Sequence, residues 1–179
     1  MNQLLTFARP KNLSLEPLNV NELVDSILTL QKKIFEDRKI QLVREYDPSL
    51  PPVLGNADEL RQVFLNFIQN AMDAVLQRHP KGGGQVRLRS RMMNSFKIKG
   101  GEGKKPSRMI VMEVEDNGVG IARADFDKIF TPFFTRKEKG YGLGLAIAQR
   151  VVAEHDGIIH VASEEGKGTS FQILLRSAL

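Results

Sequence analysis

The 179-residue sequence contains no cysteine. Disulfides, thiolate metal sites and cysteine nucleophiles are therefore excluded, which fits a reducing compartment. No apolar run approaches the roughly 18 residues that a membrane span requires. The opening MNQLLTFARPKN also lacks the apolar core of a secretion signal. Cytoplasmic exposure without direct membrane contact is the expectation. No group of His, Asp and Glu has metal-ligand spacing, and no Ser/His/Asp arrangement suggests nucleophilic catalysis. Neither a Walker A loop nor the GxGxxG dinucleotide fingerprint occurs. No segment repeats.

What is present is an ordinary core-forming composition, 41% hydrophobic and 26% charged, in a length that suits one domain. The charge is uneven. Residues 81 to 108 carry nine Lys or Arg (81, 87, 89, 91, 97, 99, 104, 105, 108) against Glu102 alone, so this stretch is +8 and the rest −3 within a net charge of +5. A solvated strand face with a loop tip accounts for such a run, as does a docking surface for an acidic partner or a phosphate chain. A nucleic-acid-binding module would interleave aromatics with the basic residues. Only Phe96 lies nearby, so nucleic acid is a disfavoured partner.

Leu4, Leu5 and Phe7 before Arg9-Pro10 predict the last turn of a helix whose earlier part precedes this chain, because proline biases its predecessor out of helix. Leu23, Ile27, Leu30 and Ile34 predict a helix over 21–38, opened by a capping box of Asn19 and Glu22. A strand over 40–46, a turn at DPSLPP and a second helix capped by Asn56 and Glu59 follow. Alternating patterns predict strands at 86–92 and 110–114, paired as a hairpin around a Gly/Lys-rich loop, 94–108, to which no role is assigned. A short helix near 125–129, a helix through Glu154 and strands at 158–163 and 169–175 complete the pattern. This order predicts an α+β fold, a two-layer α/β sandwich with helices on one face of a mixed sheet.

Four segments carry chemistry. In ELRQVFLNFIQNAMDAV (Glu59 to Val75), Leu60, Phe64, Phe67, Ile68, Ala71 and Val75 share one helix face, and Asn66, Asn70 and Asp73 lie within about 60° of one another on the other. Glu59, Gln62, Gln69 and Gln77 share the polar stripe, which solvent alone would explain. Yet asparagine is a poorer helix former than Lys, Glu or Gln, and its amide oxygen is a hard, neutral ligand for magnesium. In EVEDNGVGI (Glu113 to Ile121) a hydrophobic strand delivers Asp116 and then turns through Gly118 and Gly120, where backbone can approach a ligand. A buried carboxylate there accepts from an exocyclic amine and so prefers adenine over guanine. An Asx turn closing a strand has the same sequence. In FTPFFTRKEKGYGLGLAI (Phe130 to Ile147), Thr135, Arg136, Lys137 and Lys139 precede Gly140, Gly142 and Gly144 at a helix start, where unpaired amides favour phosphate. GKGTSF (Gly166 to Phe171) places Thr169 where a strand enters the sheet.

In this order the segments resemble the N, G1, F/G2 and G3 boxes of the ATP-binding domain of sensor histidine kinases, within the gyrase, Hsp90, histidine kinase and MutL (GHKL) superfamily with its Bergerat fold. The resemblance covers roughly residues 13 to 176, and YDPSLPPV with the LLTFARP start is most similar to nitrogen-regulation (NtrB-type) kinases. It implies that residues 1–12 are the tail of a dimerisation and phosphoacceptor helix and 13–179 the ATP-binding catalytic domain. It implies an ATP site of Asn66, Asn70, Asp73, Asp116, Gly118, Gly120, Ile121, Phe134, Thr135, Arg136, Lys137, Gly140, Gly142, Leu143, Gly144, Leu145 and Thr169. Asn70 would hold magnesium, Asp116 the adenine amine, Gly118 and Gly120 would shape the pocket with Thr169 in support, and 131–142 would be a mobile lid. Asn66, Asn70 and Lys137 would carry the catalysis.

Two residues depart from the resemblance. Tyr141 stands where many relatives have threonine, and Asp73 where many have lysine. Relatives that hydrolyse ATP carry glutamate one turn before the magnesium asparagine; here Asn66 stands there, and an amide is no general base. Transfer to an imidazole is therefore expected over hydrolysis. His79, His155 and His160 read as ordinary surface or half-buried histidines, so the acceptor belongs to the helical dimerisation domain of the same kinase. The implied parent is a homodimer that passes phosphate to a response regulator. An ATP-hydrolysing clamp of the superfamily and a non-catalytic nucleotide-binding module are the alternatives.

Overall fold

The computed structural model describes residues 14–96, 107–137 and 140–178. The expected helical tail at Leu4 to Pro10, the loop centre and Lys139 lie outside the described residues.

Asn19 opens α1 (Val20–Asp37) by accepting from the backbone N–H groups of Asn21 and Glu22 at 3.0 and 3.3 Å, which satisfies two of the donors a helix start leaves unpaired. Asn56 does the same for α2 (Ala57–Arg78), accepting from Asp58 and Glu59, each at 3.1 Å. The third helix, α3, runs over Gly144–Glu154, and the predicted short helix is a single 3₁₀ turn, Phe126–Lys128.

The strands are β1 (Glu16–Leu18), β2 (Gln41–Glu45), β3 (Val53–Gly55), β4 (Gln85–Phe96), β5 (Ser107–Asp116), β6 (Ile158–Glu164) and β7 (Gly168–Arg176). Five form one sheet in the order β2-β4-β5-β7-β6, with β2 parallel to β4 and the other neighbours antiparallel. The expected mixed sheet is present. A second sheet pairs β1 with β3. Three-residue strands have too few positions for alternation to register, which is why the sequence pattern misses them.

Alternation splits the large sheet into two faces. Val86, Leu88, Ile110, Met112, Val114, Phe171, Ile173 and Leu175 join the core with Phe64, Phe67, Ile68, Ile147 and Val151 from the helices. Phe67 of α2 meets Phe171 of β7 with ring centroids 4.7 Å apart, inside the range where aromatic pairs add to simple burial. Helix α2 is thereby fixed across the middle of the sheet.

The opposite face carries part of the basic run, and there the arginines are paired rather than open for docking. Arg87 pairs with Glu115 at 3.1 Å and Glu45 at 3.5 Å, and Arg89 pairs with Glu45 at 2.7 Å and with Glu113 and Glu115 at 3.2 Å each. Cross-strand acids from β2 and β5 thus pair with two of the three β4 arginines, Arg87 and Arg89. Sequence spacing could not reveal this, because the acids come from other strands.

Candidate functional site

Strand β5 ends by carrying Asp116 onto the helix-facing side of the sheet, directly opposite Thr169 of β7. The carboxyl is buried. Gly118 N–H donates to its Oδ1 at 2.8 Å, and the Thr169 backbone N–H bonds it as well. Burial nevertheless dominates and pushes the Asp116 carboxyl up to about 6, the two backbone donors offsetting only part of that cost.

The chain after Asp116 runs against α2. Val119 N–H donates to the Ala74 carbonyl at 3.2 Å, and a Cβ on Gly118 would lie 2.6 Å from the Ala74 Cβ. Gly120 has φ +71°, and a side chain there would strike the Glu164 carbonyl. These two glycines are therefore demanded by close approach and by conformation respectively. On the far side Gly166 N–H reaches the Val119 carbonyl at 2.7 Å, so the β6–β7 turn walls the loop. Ser163, which the motif pattern did not single out, accepts from Ile121 N–H at 2.9 Å. Ile121 itself is partly buried against the core.

The other end of the site is built where α2 faces the 131–142 segment. Lys137 Nζ donates to Asn70 Oδ1 at 2.8 Å and to Asp73 Oδ2 at 2.6 Å. The structure thus brings Asn70, Asp73 and Lys137 together, with a cation from the 131–142 segment beside Asp73. Asn66 is not part of a solvated stripe. It is buried, and its Nδ2 donates to the Gly144 carbonyl at 3.0 Å, tying α2 to the start of α3.

Arg136 does not join this group. Its guanidinium is paired with the buried carboxylate of Asp125, Nη2 donating to Oδ1 at 2.8 Å and Nε meeting Oδ2. Thr135 Oγ1 accepts from Lys137 N–H at 3.1 Å, and a Cβ on Gly140 would meet that oxygen at 3.6 Å. Leu143 is buried, while Phe134 and Leu145 pack partly buried against the core. Gly142, at φ +64°, accepts from Phe133 N–H at 2.9 Å and leaves no room for a side chain against Phe133. Tyr141 points outward, 70% exposed. Helix α3 begins with no side-chain cap, which leaves its first amides available to an anion.

From Asn66 to Ala74 these contacts extend along roughly 12 Å of α2 at 1.5 Å per residue. The buried Asp116 carboxyl sits at one end, and Asn70, Asp73, Lys137 and the start of α3 at the other. An open depression of about 500 Å³ beside Ile121, lined also by Arg123, Phe126, Asp127, Ser163, Glu164 and Glu165, touches this line only at its edge. The charged groups, not the depression, mark the site. Among the described residues no three His, Asp or Glu converge as a metal cage. Asn70 Oδ1 already receives a cation, so its surroundings suit a metal that draws its remaining ligands from phosphate and water.

The histidines are of three kinds. His79 Nε2 lies 3.2 Å from the Asn117 carbonyl, and His160 is exposed on β6. His155, expected at or near the surface, is fully buried. Its Nδ1 donates to the Val151 carbonyl at 2.7 Å and its Nε2 accepts from Asn56 N–H at 3.0 Å. Its partner Asn56 lies 99 residues away in sequence, so the local sequence around His155 could not convey this burial.

A family model described as histidine kinase-, DNA gyrase B-, and HSP90-like ATPase matches residues 55–179. The sensory histidine kinase/phosphatase NtrB of Rhodobacter capsulatus is 35% identical over 175 residues, 98% of this chain and 47% of that protein. The sensor histidine kinase ZraS of Escherichia coli is 36% identical over 98% of this chain and 34% of its own length. The chain thus spans less than half of these curated relatives. The solved catalytic domain of histidine kinase ThkA superposes with a TM-score of 0.74 at 26% identity, covering 92% of this chain and 96% of that one. Full-length ShkA in complex with AMPPNP gives 0.76 at 28%, covering 99% of this chain and 35% of that one.

Proposed function

The chain belongs to the histidine kinase-, DNA gyrase B- and HSP90-like ATPase family, and we propose that it is the ATP-binding catalytic domain of a sensor histidine kinase, acting in the cytoplasm. It binds magnesium ATP and passes the γ-phosphoryl to a histidine on the helical dimerisation domain of its homodimeric parent. A response-regulator aspartate then receives the group.

The observation that carries this reading is Asn66. It stands one helical turn before Asn70, it is an amide, and one of its Nδ2 hydrogens is committed to the Gly144 carbonyl. A carboxylate there would activate water; an amide has no basic lone pair near neutral pH. The site therefore holds and orients ATP without readily spending it on water.

The other groups divide the work. Asp116 accepts from the 6-amino group of adenine, with Gly118 and Gly120 allowing the base close to backbone. Asn70 would supply one oxygen to magnesium, which when bound would neutralise phosphate charge. Lys137 offers a second cation from the lid, and the α3 amides cradle phosphate oxygens. Arg136, paired with Asp125, fixes the root of the lid so that its neighbour Lys137 reaches α2. The catalytic contribution is thus positioning and charge neutralisation for in-line attack by an imidazole brought from outside.

Calorimetry of ATP with magnesium tests the assignment. Asp116→Asn and Asn70→Ala should each weaken binding at least tenfold; unchanged affinity in both would refute it. Steady phosphate release that survives Asn66→Ala but not Asn70→Ala would favour the hydrolysing clamp instead. With binding established, adding the helical domain should yield acid-labile phosphohistidine.

A further inference from the structure

Three polar side chains occupy one cross-strand row at the base end of the site. Asp116 on β5 is the register partner of Thr169 on β7, and Thr169 is the register partner of Ser163 on β6. All three share the parity of the core-facing residues Val114, Phe171 and Val161, so their side chains stand on the helix side of the sheet. Neighbours in such a row have Cβ atoms about 5 Å apart.

The hydrogens in the row can be counted. Ser163 Oγ has one hydrogen, and it is donated to the Gly168 carbonyl at 3.0 Å, because a carbonyl can only accept. Ser163 Oγ also receives the Ile121 N–H at 2.9 Å. It lies 2.9 Å from Thr169 Oγ1, a contact that either hydroxyl could donate; with the Ser163 hydrogen turned to the Gly168 carbonyl, the Thr169 hydrogen completes it. The Ser163 hydroxyl is then saturated, one bond given and two accepted. Thr169, its hydrogen spent on Ser163, has only lone pairs left for anything else in the pocket. Beside it Asp116 already takes two backbone N–H groups and as a carboxylate also offers only acceptors.

We propose that Ser163 is a specificity-determining residue for the purine base: by taking the Thr169 hydrogen it makes the base end of the site accept only, so that a 6-amino purine fits and a 6-oxo purine is refused. This rests on the reading of the site as an adenine pocket. The 6-amino group of adenine brings two hydrogens to a row of acceptors. The 6-oxo group of guanine brings another acceptor, and no donor in the row answers it, so buried polar atoms are left unpaired on both sides. Asp116 supplies the charge, but a freely rotating Thr169 hydroxyl could turn and donate to a 6-oxo group; Ser163 removes that option. Ser163 does not touch the base itself. It acts through Thr169 and through the Ile121 backbone, which makes it a positioning residue.

The test is the ratio of ATP to GTP affinity, measured by calorimetry with magnesium on the whole chain as wild type, Ser163→Ala and Ser163→Thr. Wild type should prefer ATP by at least tenfold. Ser163→Ala frees the Thr169 hydrogen, and the preference should shrink at least fivefold, with ATP weakened and GTP unchanged or tightened. Ser163→Thr keeps the hydroxyl and should restore the ratio. A purely structural serine would, when removed, weaken both nucleotides by the same factor and leave the ratio alone; that result, or no change in either affinity, overturns the proposal. Where Ser163→Ala does not fold, as judged by circular dichroism, Ser163→Cys, a poorer acceptor for the Thr169 hydrogen, carries the same comparison. Failure of wild type to bind ATP at all would instead sink the functional reading beneath it, so the two failures are distinguishable.

Discussion

Asp116 joins the base end of the site to pH. Its carboxyl is raised from 3.8 to about 6 by burial, so the folded protein holds this proton more tightly than the unfolded chain does. Stability from this group is fully present below pH 3.8 and is lost as pH rises through about 6, a span worth about 3 kcal/mol. In urea unfolding of the nucleotide-free protein, that pH component should be missing from Asp116→Asn, which cannot titrate. Nucleotide binding should run the other way, since in the proposed site the amine of adenine is received by the ionised carboxylate: ATP affinity should fall as pH drops below about 6, again only where Asp116 is intact. Lys137 gives a second residue-scale expectation. Its Nζ donates to Asn70 Oδ1, the oxygen proposed above for magnesium, so the two would compete for it. In Lys137→Met the factor by which magnesium improves ATP affinity, measured against an EDTA control, should therefore exceed that of wild type. An unchanged factor would mean that lysine and ion do not share the oxygen.

At the scale of elements, His155 clamps two helices, accepting from the N-cap residue of α2 and donating within the last turn of α3. Replacing it by alanine opens a cavity and orphans the Asn56 N–H, so His155→Ala should cost about 2–4 kcal/mol in denaturant unfolding. The elements differ in how far sequence alone reveals them. All three helices and the strands of the large sheet were legible from periodicity and caps, because Asn19, Asn56 and the alternation of β4 and β5 are local signals. The small β1–β3 sheet was not, nor was the Arg136–Asp125 pair that turns an expected phosphate ligand into an anchor. The glycines, Asn70 and Asp116 could be placed by motif. The row of Asp116, Thr169 and Ser163 could not, because register between strands 47 or more residues apart from Asp116 is set by the packing of the whole sheet.

Over the whole molecule, binding and folding draw on one helix. Nucleotide that binds only the folded chain stabilises it by about 2.7 kcal/mol at a concentration of roughly 100 Kd, so ATP with magnesium should raise the melting temperature and should fail to do so in Asp116→Asn. Deleting residues 97–105, which carry Lys97, Lys99, Lys104 and Lys105, should leave ATP affinity within about twofold while lowering any salt-sensitive adsorption to polyanions. Loss of ATP binding on that deletion would place the basic loop in the site after all.

Helix α2 fills the core on one side and serves the ligand on the other, and the two duties conflict at Asn66, a polar side chain held in the interior, and across the sheet at Asp116, a carboxylate kept dry. Both are positions that a protein bred only to survive heat, without nucleotide present, would surrender early. Such a lineage would end as a sturdier chain that binds nothing, and the order in which its residues changed would itself chart the site.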